Sequence, residues 1–168
     1  MFPSHDQFAN VCGDGTYYNL GEGSVVTILY DVGNNVYPGD GAGTAAYFTA
    51  PVAGKYFFTF SLTYSVAIGA NENAAAASPY DVDLVLEIES TTDTFTFAES
   101  KWERTDIYPY NFAYANIGCC NMEGCIDLGL GDTVDFSFMY NRGVANNVSV
   151  VGSASTDLRT FVSGYLVA

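Results

Sequence analysis

The stretch Tyr47-Phe-Thr-Ala-Pro-Val-Ala-Gly-Lys-Tyr-Phe-Phe-Thr-Phe60 decides the fold class. It reads as strand, tight turn, strand. Pro51 sets φ for a reversal, and Gly54 tolerates the positive φ that such turns often require. Beyond the turn, Tyr56, Phe58 and Phe60 alternate with Phe57 and Thr59. That is the period-two pattern of a strand burying one face heavily and the other in part.

The same punctuation continues on both sides. Further strands are expected at Val25–Val32, Ala45–Thr49, Lys55–Val66, Val82–Ser90, Thr92–Glu99, Cys125–Leu128, Thr133–Asn141, Asn147–Gly152 and Thr160–Val167, with an early one near Gln7–Cys12. Gly, Asn, Asp and Pro separate them, and no window shows capped helical periodicity. The Ala-rich run Ala70–Ala77 is bracketed by Gly69 and Pro79 and reads as a loop or single turn. Many short strands with turn signals indicate a sandwich or barrel. Residues 1–168 make one domain of ordinary size, with 1–24 a segment that the pattern does not place.

Composition excludes several functions. Nineteen acidic residues face five basic ones, a net charge of -14, so no Lys/Arg stripe exists to hold nucleic acid or an anionic membrane. The acidity reads either as solubility or as divalent-cation binding. No apolar run reaches the roughly 20 residues needed to span a bilayer. Met1–Asp6 shows no basic and no apolar region of a secretory signal. The expected location is therefore a virion or the extracellular space.

Candidate sites are few. The strand Asp81–Glu89 points Val82, Leu84, Leu86 and Ile88 one way and Asp81, Asp83, Glu87 and Glu89 the other. Its acidic face is either a wetted surface or, through Asp81 and Asp83, a weak calcium site. No other cofactor is expected. Lys101–Asn116 gathers Trp102, Tyr108, Tyr110, Phe112 and Tyr114 around Pro109. Such a loop either packs over the end of the domain or contacts a protein or carbohydrate ligand, because rigid rings bury area at low entropy cost. Cys119, Cys120 and Cys125 cluster; they read as thiols, or as Cys125 paired with Cys119 or Cys120 in an oxidising compartment. Cys-Cys-x4-Cys is not a usual zinc spacing, and the lone histidine, His5, supplies neither a cupin-type metal centre nor a catalytic triad. No nucleophile elbow, phosphate loop or dinucleotide fingerprint is present. The chain does not read as an enzyme.

Three motifs carry a resemblance. Asn34-Asn-Val-Tyr37 precedes Phe48 and Gly54-Lys-Tyr-Phe-Phe58; Leu128-Gly-Leu-Gly-Asp-Thr-Val134 follows; Thr160-Phe-Val-Ser-Gly-Tyr-Leu-Val167 closes the chain. In this order, from about residue 25 onward, they resemble the globular head domain of the first complement component's q subunit, which shares its jelly roll with the tumour necrosis factors. The loop between Tyr37 and Phe48 is longer than in that family, Ala53 stands where many members have Pro, and Lys101–Cys125 has no counterpart. The resemblance implies an antiparallel jelly-roll sandwich of about ten strands that assembles as a homotrimer for recognition or assembly. Tyr47, Tyr56, Phe58, Phe136 and Tyr165 become candidates for the trimer interface. The functional expectation is a capsid-decoration, fibre or tail-associated virion protein touching neighbouring virion proteins. The alternative is a secreted recognition protein binding a surface glycan or protein.

Overall fold

The computed structural model describes residues 2–3, 14–23, 25–67, 81–91, 94–103, 115–141, 148–150 and 160–167. These form twelve strands: β1 (Phe2–Pro3), β2 (Asp14–Asn19), β3 (Val26–Thr27), β4 (Val36–Tyr37), β5 (Tyr47–Thr49), β6 (Gly54–Ala67), β7 (Asp81–Ser90), β8 (Thr94–Glu103), β9 (Ala115–Leu128), β10 (Thr133–Asn141), β11 (Val148–Val150) and β12 (Phe161–Leu166). Among the described residues no helix is long and apolar enough to cross a membrane.

The strands build two antiparallel sheets and a small β1–β3 ribbon. The larger sheet runs β4-β5-β10-β7-β8, and β2 shares with β5 one edge of β10. The smaller sheet has β6 at its centre, β9 along one edge, and β12 and β11 end to end along the other. The chain is thus an all-β antiparallel sandwich of jelly-roll type.

Rings from the two sheets close the core. Phe58 and Phe60 of β6 meet Phe136 of β10 edge-on, with centroids 5.6 and 5.8 Å apart. Leu62, Leu86, Ile88, Phe138 and Val134 fill the space around them and are almost inaccessible to water. Each such side chain contributes about 2 kcal/mol through burial. Tyr64 and Tyr140 meet at 5.8 Å, and burial first, then the neighbouring Tyr140 and the Cys120 and Cys119 thiols, push the Tyr64 phenol up to about 12.

Two turns stitch the sheets at one end. The backbones of Ala50 and Asp132 (2.8 Å) and of Gly131 and Ala50 (2.9 Å) are hydrogen-bonded. Gly131 stands at φ 85°, where a Cβ is strained, and the Asp132 carboxylate accepts from the Gly129 N–H at 2.7 Å. The Gly-Asp of the second motif is therefore a turn-forming pair. At the first motif the expectation fails in one respect. Gly54 does not use positive φ; it is the first residue of β6, paired with Leu128, and the turn is pinned by the Tyr56 hydroxyl donating to the Val52 carbonyl at 2.7 Å.

Most expected strands appear, with ends moved by a few residues. Two differ in kind. Val25–Val32 is a strand only at Val26–Thr27, because the Asp31 carboxylate accepts from the N–H groups of Gly33 (3.2 Å) and Val36 (2.9 Å) and folds the chain into a loop. Cys125–Leu128 is only the end of the 14-residue β9, in unbroken register with β6 from Gly54↔Leu128 to Ala67↔Ala115. The early strand at Gln7–Cys12 lies outside the described residues.

Candidate functional site

Each sheet has one face in the core and one turned outward, and the outward faces are where a partner can touch. On the smaller sheet, β6 sends Tyr56, Phe58, Phe60, Leu62 and Tyr64 inward. Lys55, Phe57, Thr59, Ser61 and Thr63 therefore lie on the other side, since side chains alternate along a strand; Ser61 and Thr63 are buried there, and the accessible part of the face runs from Lys55 to Thr59. The register extends this outer face into rows: Cys125–Phe57–Tyr165, Glu123–Thr59–Ser163 and Asn121–Ser61–Phe161. The Phe57 and Tyr165 rings lie 5.4 Å apart, yet Tyr165 remains 62% exposed. Farther along, the Thr160 hydroxyl accepts from the Thr63 N–H (2.9 Å) and donates to the Thr63 carbonyl (3.2 Å), tying the start of β12 to β6. Charge on the described part of this face is confined to its margins. Lys55 and Asp127 make a loose, exposed ion pair at 3.9 Å at one end, and Glu123 sits on the edge strand β9.

The pairing on the inner side explains why β12 docks as it does. Phe58 lies opposite Gly124 on one side and Gly164 on the other. A Cβ on Gly164 would come within 2.4 Å of the Phe58 ring. The large ring occupies the space that the missing Gly164 side chain leaves, a familiar way of packing glycine inside a sheet.

The larger sheet turns a different surface outward. Asp135 lies opposite Glu89 on β7 and Tyr47 on β5. Burial, then the charges of Glu89 and Glu22, push the Asp135 carboxyl up to about 6. Glu22 is held by Asn19, whose side-chain amide donates to it at 2.9 Å. Partial burial and a hydrogen bond to Glu87 raise the Tyr17 phenol. Val85, on this acidic side of β7, is nonetheless buried.

These placements sort the candidates read from the sequence. Tyr56, Phe58 and Phe136 are core residues, so their rings are spent between the sheets and offer nothing to a neighbouring copy; the interface expectation is corrected for these three. Tyr165 stands exposed on the outer face of the smaller sheet. Tyr47 is half-buried on the outer face of the larger one, stacked on Tyr37 at 5.0 Å. Cys119, Cys120 and Cys125 form no disulfide with one another. Five or six residues of straight strand separate Cys125 from the other two, roughly 16–20 Å at strand rise, whereas a disulfide needs Cα atoms within about 7 Å. Pairing of Cys125 with Cys119 or Cys120 within one chain is thereby excluded. Trp102 falls on β8 opposite Val82 rather than in a loop, and Tyr108, Tyr110, Phe112, Tyr114 and His5 lie outside the described residues. Asp81 and Asp83 fall on β7, in register with Glu103 and Lys101 of β8. Among the described residues no group of three or more His, Cys, Asp or Glu could hold a metal ion.

Sequence reasoning missed the outer row Cys125–Phe57–Tyr165 because it spans three strands. The alternation in Cys120, Met122, Ile126 and Leu128 against Asn121, Glu123, Cys125 and Asp127 was the available signal for β9.

An antiparallel jelly-roll sandwich with one outer face whose charge is confined to its margins is the class this geometry defines. The structure is similar to the globular domain of zebrafish complement 1qA protein, with 15% identity, a TM-score of 0.46, and coverage of 99% of this chain and 98% of that one. It is also similar to the Eiger TNF from S. frugiperda, with 11% identity, a TM-score of 0.38, and coverage of 93% and 96%. No protein-family model and no curated protein sequence matches the chain.

Proposed function

We propose that the chain is a non-catalytic assembly and recognition module that works as a homotrimer outside the cell. The observation that supports this is the outer face of β9-β6-β12, where rings, thiols and small hydroxyls surround an exposed Tyr165 and charge is confined to the margins. Chains of net charge -14 repel one another, so copies can associate only through a surface that leaves the carboxylates in water. Exposed rings are also what interfaces favour at their centre. In its finer form the proposal places the trimer on a virus particle as a decoration, fibre or tail component; the secreted receptor for a surface glycan or protein is its alternative.

Light scattering at micromolar concentration tests the association. Three chain masses are expected, and a stable monomer would remove the proposal. Labelling of purified particles with an antibody against the chain tests the finer form, and unlabelled particles would leave the secreted alternative.

A further inference from the structure

The two sheets do not close on one another along the side where the loop after β3 faces β12. A groove of about 640 Å³ opens there. Its floor is the core itself, through Phe48, Phe58 and Phe136. Its rims are Tyr30 and Val32 on the loop and Leu166 on β12; the two loop residues are each 84% exposed. Of these rings only Phe48 is part-exposed; Phe58 and Phe136 stay covered beneath it, so the groove is a cleft over the core rather than an opening into it.

The groove has a definite chemistry. Among the described residues that line it, Asp31 is the one charged side chain, and each of its oxygens accepts from an N–H of its own loop, that of Gly33 or Val36. Among the described residues no lysine, arginine or histidine lines the wall to receive an acid. The net charge of -14 repels an anion before it arrives. A cation meets one carboxylate, Asp31, already accepting two N–H groups, and otherwise apolar walls. An ion carried past it onto those walls would lose its water without gaining a partner, at a cost of several kcal/mol. A neutral apolar body gains about 25 cal/mol for each Å² it hides. The volume falls within the roughly 300–1,000 Å³ of small-molecule sites, and apolar walls with few polar groups are their usual make-up.

We propose that this groove binds an uncharged lipophilic small molecule bearing rings or a branched chain. The inference does not require trimer formation, although Phe161, Ser163 and Tyr165 of β12 border the groove as well as lying on the outer face of the smaller sheet.

Fluorescence titration with two dyes of similar ring size tests it. Neutral N-phenylnaphthylamine should bind saturably at one site per chain, and anionic anilinonaphthalene sulfonate at least about tenfold more weakly. Leu166→Glu and, from the opposite rim, Val32→Glu should each weaken the neutral dye by about tenfold or more. Leu130→Glu, at an exposed turn outside the groove, should leave it unchanged. Val32 is so exposed that its substitution leaves the fold intact, which a circular dichroism melt verifies. Absence of saturable binding, equal affinity for both dyes, or full binding by both rim variants would overturn the proposal. Dye binding that dissociates an oligomer in proportion to occupancy would overturn it too, by assigning the groove to a sister copy.

Discussion

The two outward faces of this sandwich are built from the same kind of alternating strand and have opposite electrostatics. The larger sheet collects Glu22, Glu87, Glu89 and Asp135 on this side, and burial, then the charges of Glu89 and Glu22, hold the Asp135 carboxyl up at about 6. The smaller sheet places Phe57, Tyr165, Phe161 and small hydroxyls at the corresponding depth and leaves charge to its edges. An acidic chain gains solubility from the first face and an adhesive surface from the second. The difference lies in residue placement, since strand geometry is common to both.

The strongest way to break this comparison is to deny that the smaller sheet has two distinct sides. Gly164 and Ser163 are neighbours on β12, one beneath the Phe58 ring and the other facing out. Gly164→Val should destabilise by about 2–3 kcal/mol through overpacking, and Ser163→Val by less than about 0.5 kcal/mol. Equal losses in thermal melts would show the sidedness to be wrong.

A second experiment concerns adhesion. Tyr165→Asp puts a carboxylate among the rings of this face and should raise the trimer dissociation constant by about tenfold or more, roughly 1.4 kcal/mol. Glu89→Gln on the opposite face should leave it unchanged. Sedimentation velocity across a dilution series separates the two, and the reverse ranking would assign association to the larger sheet.

The acidic face makes a pH prediction. The folded Asp135 pKa of about 6 lies above its ordinary value of 3.8, so ionisation opposes folding. The native state holds the extra proton between those limits, and stability from this group falls as pH rises through them and is regained on acidification. Discounted for the water that reaches this half-buried group, the effect is about 1 kcal/mol. Asp135→Asn should stabilise the protein at pH 7 by that amount and lose its advantage below about pH 4. A constant difference in melting temperature from pH 4 to 7 would contradict the assignment.

The smallest effect is expected at the thiols. Cys119 and Cys125 are exposed on the smaller sheet's outer face, so Cys125→Ser should change stability by less than about 0.5 kcal/mol. Both thiols should alkylate in the native monomer; protection of Cys125 only in the oligomer would sharpen the comparison by placing it under a neighbouring copy.

Much of the fold was legible because the aromatic alternation of β6, the Gly-Asp turn and the closing strand each obey a local rule. The parity of the rings was not. Tyr56, Phe57 and Phe58 are consecutive aromatics, and composition cannot say which of them face the core. That is settled across strands, where Gly124 and Gly164 flank Phe58 while Cys125 and Tyr165 flank Phe57. The same blindness turned three core rings into interface candidates. Val25–Val32 misled for another reason: a β-branched, apolar run satisfied strand propensity, but the Asp31 carboxylate offered the backbone a competing set of hydrogen bonds. β9 was underestimated because its glycines, asparagines and cysteines carry weak propensity, and only the long partner β6 makes it a strand.

The bare spots flanking Phe58 act as a vernier for the C-terminal strand. Sliding β12 by one residue would set Ser163 or Tyr165 against the ring and turn every side chain of the strand over. Alignment of the last strand is therefore fixed by bulk meeting emptiness rather than by charge, and it survives changes of salt or acidity that would loosen an ionic latch.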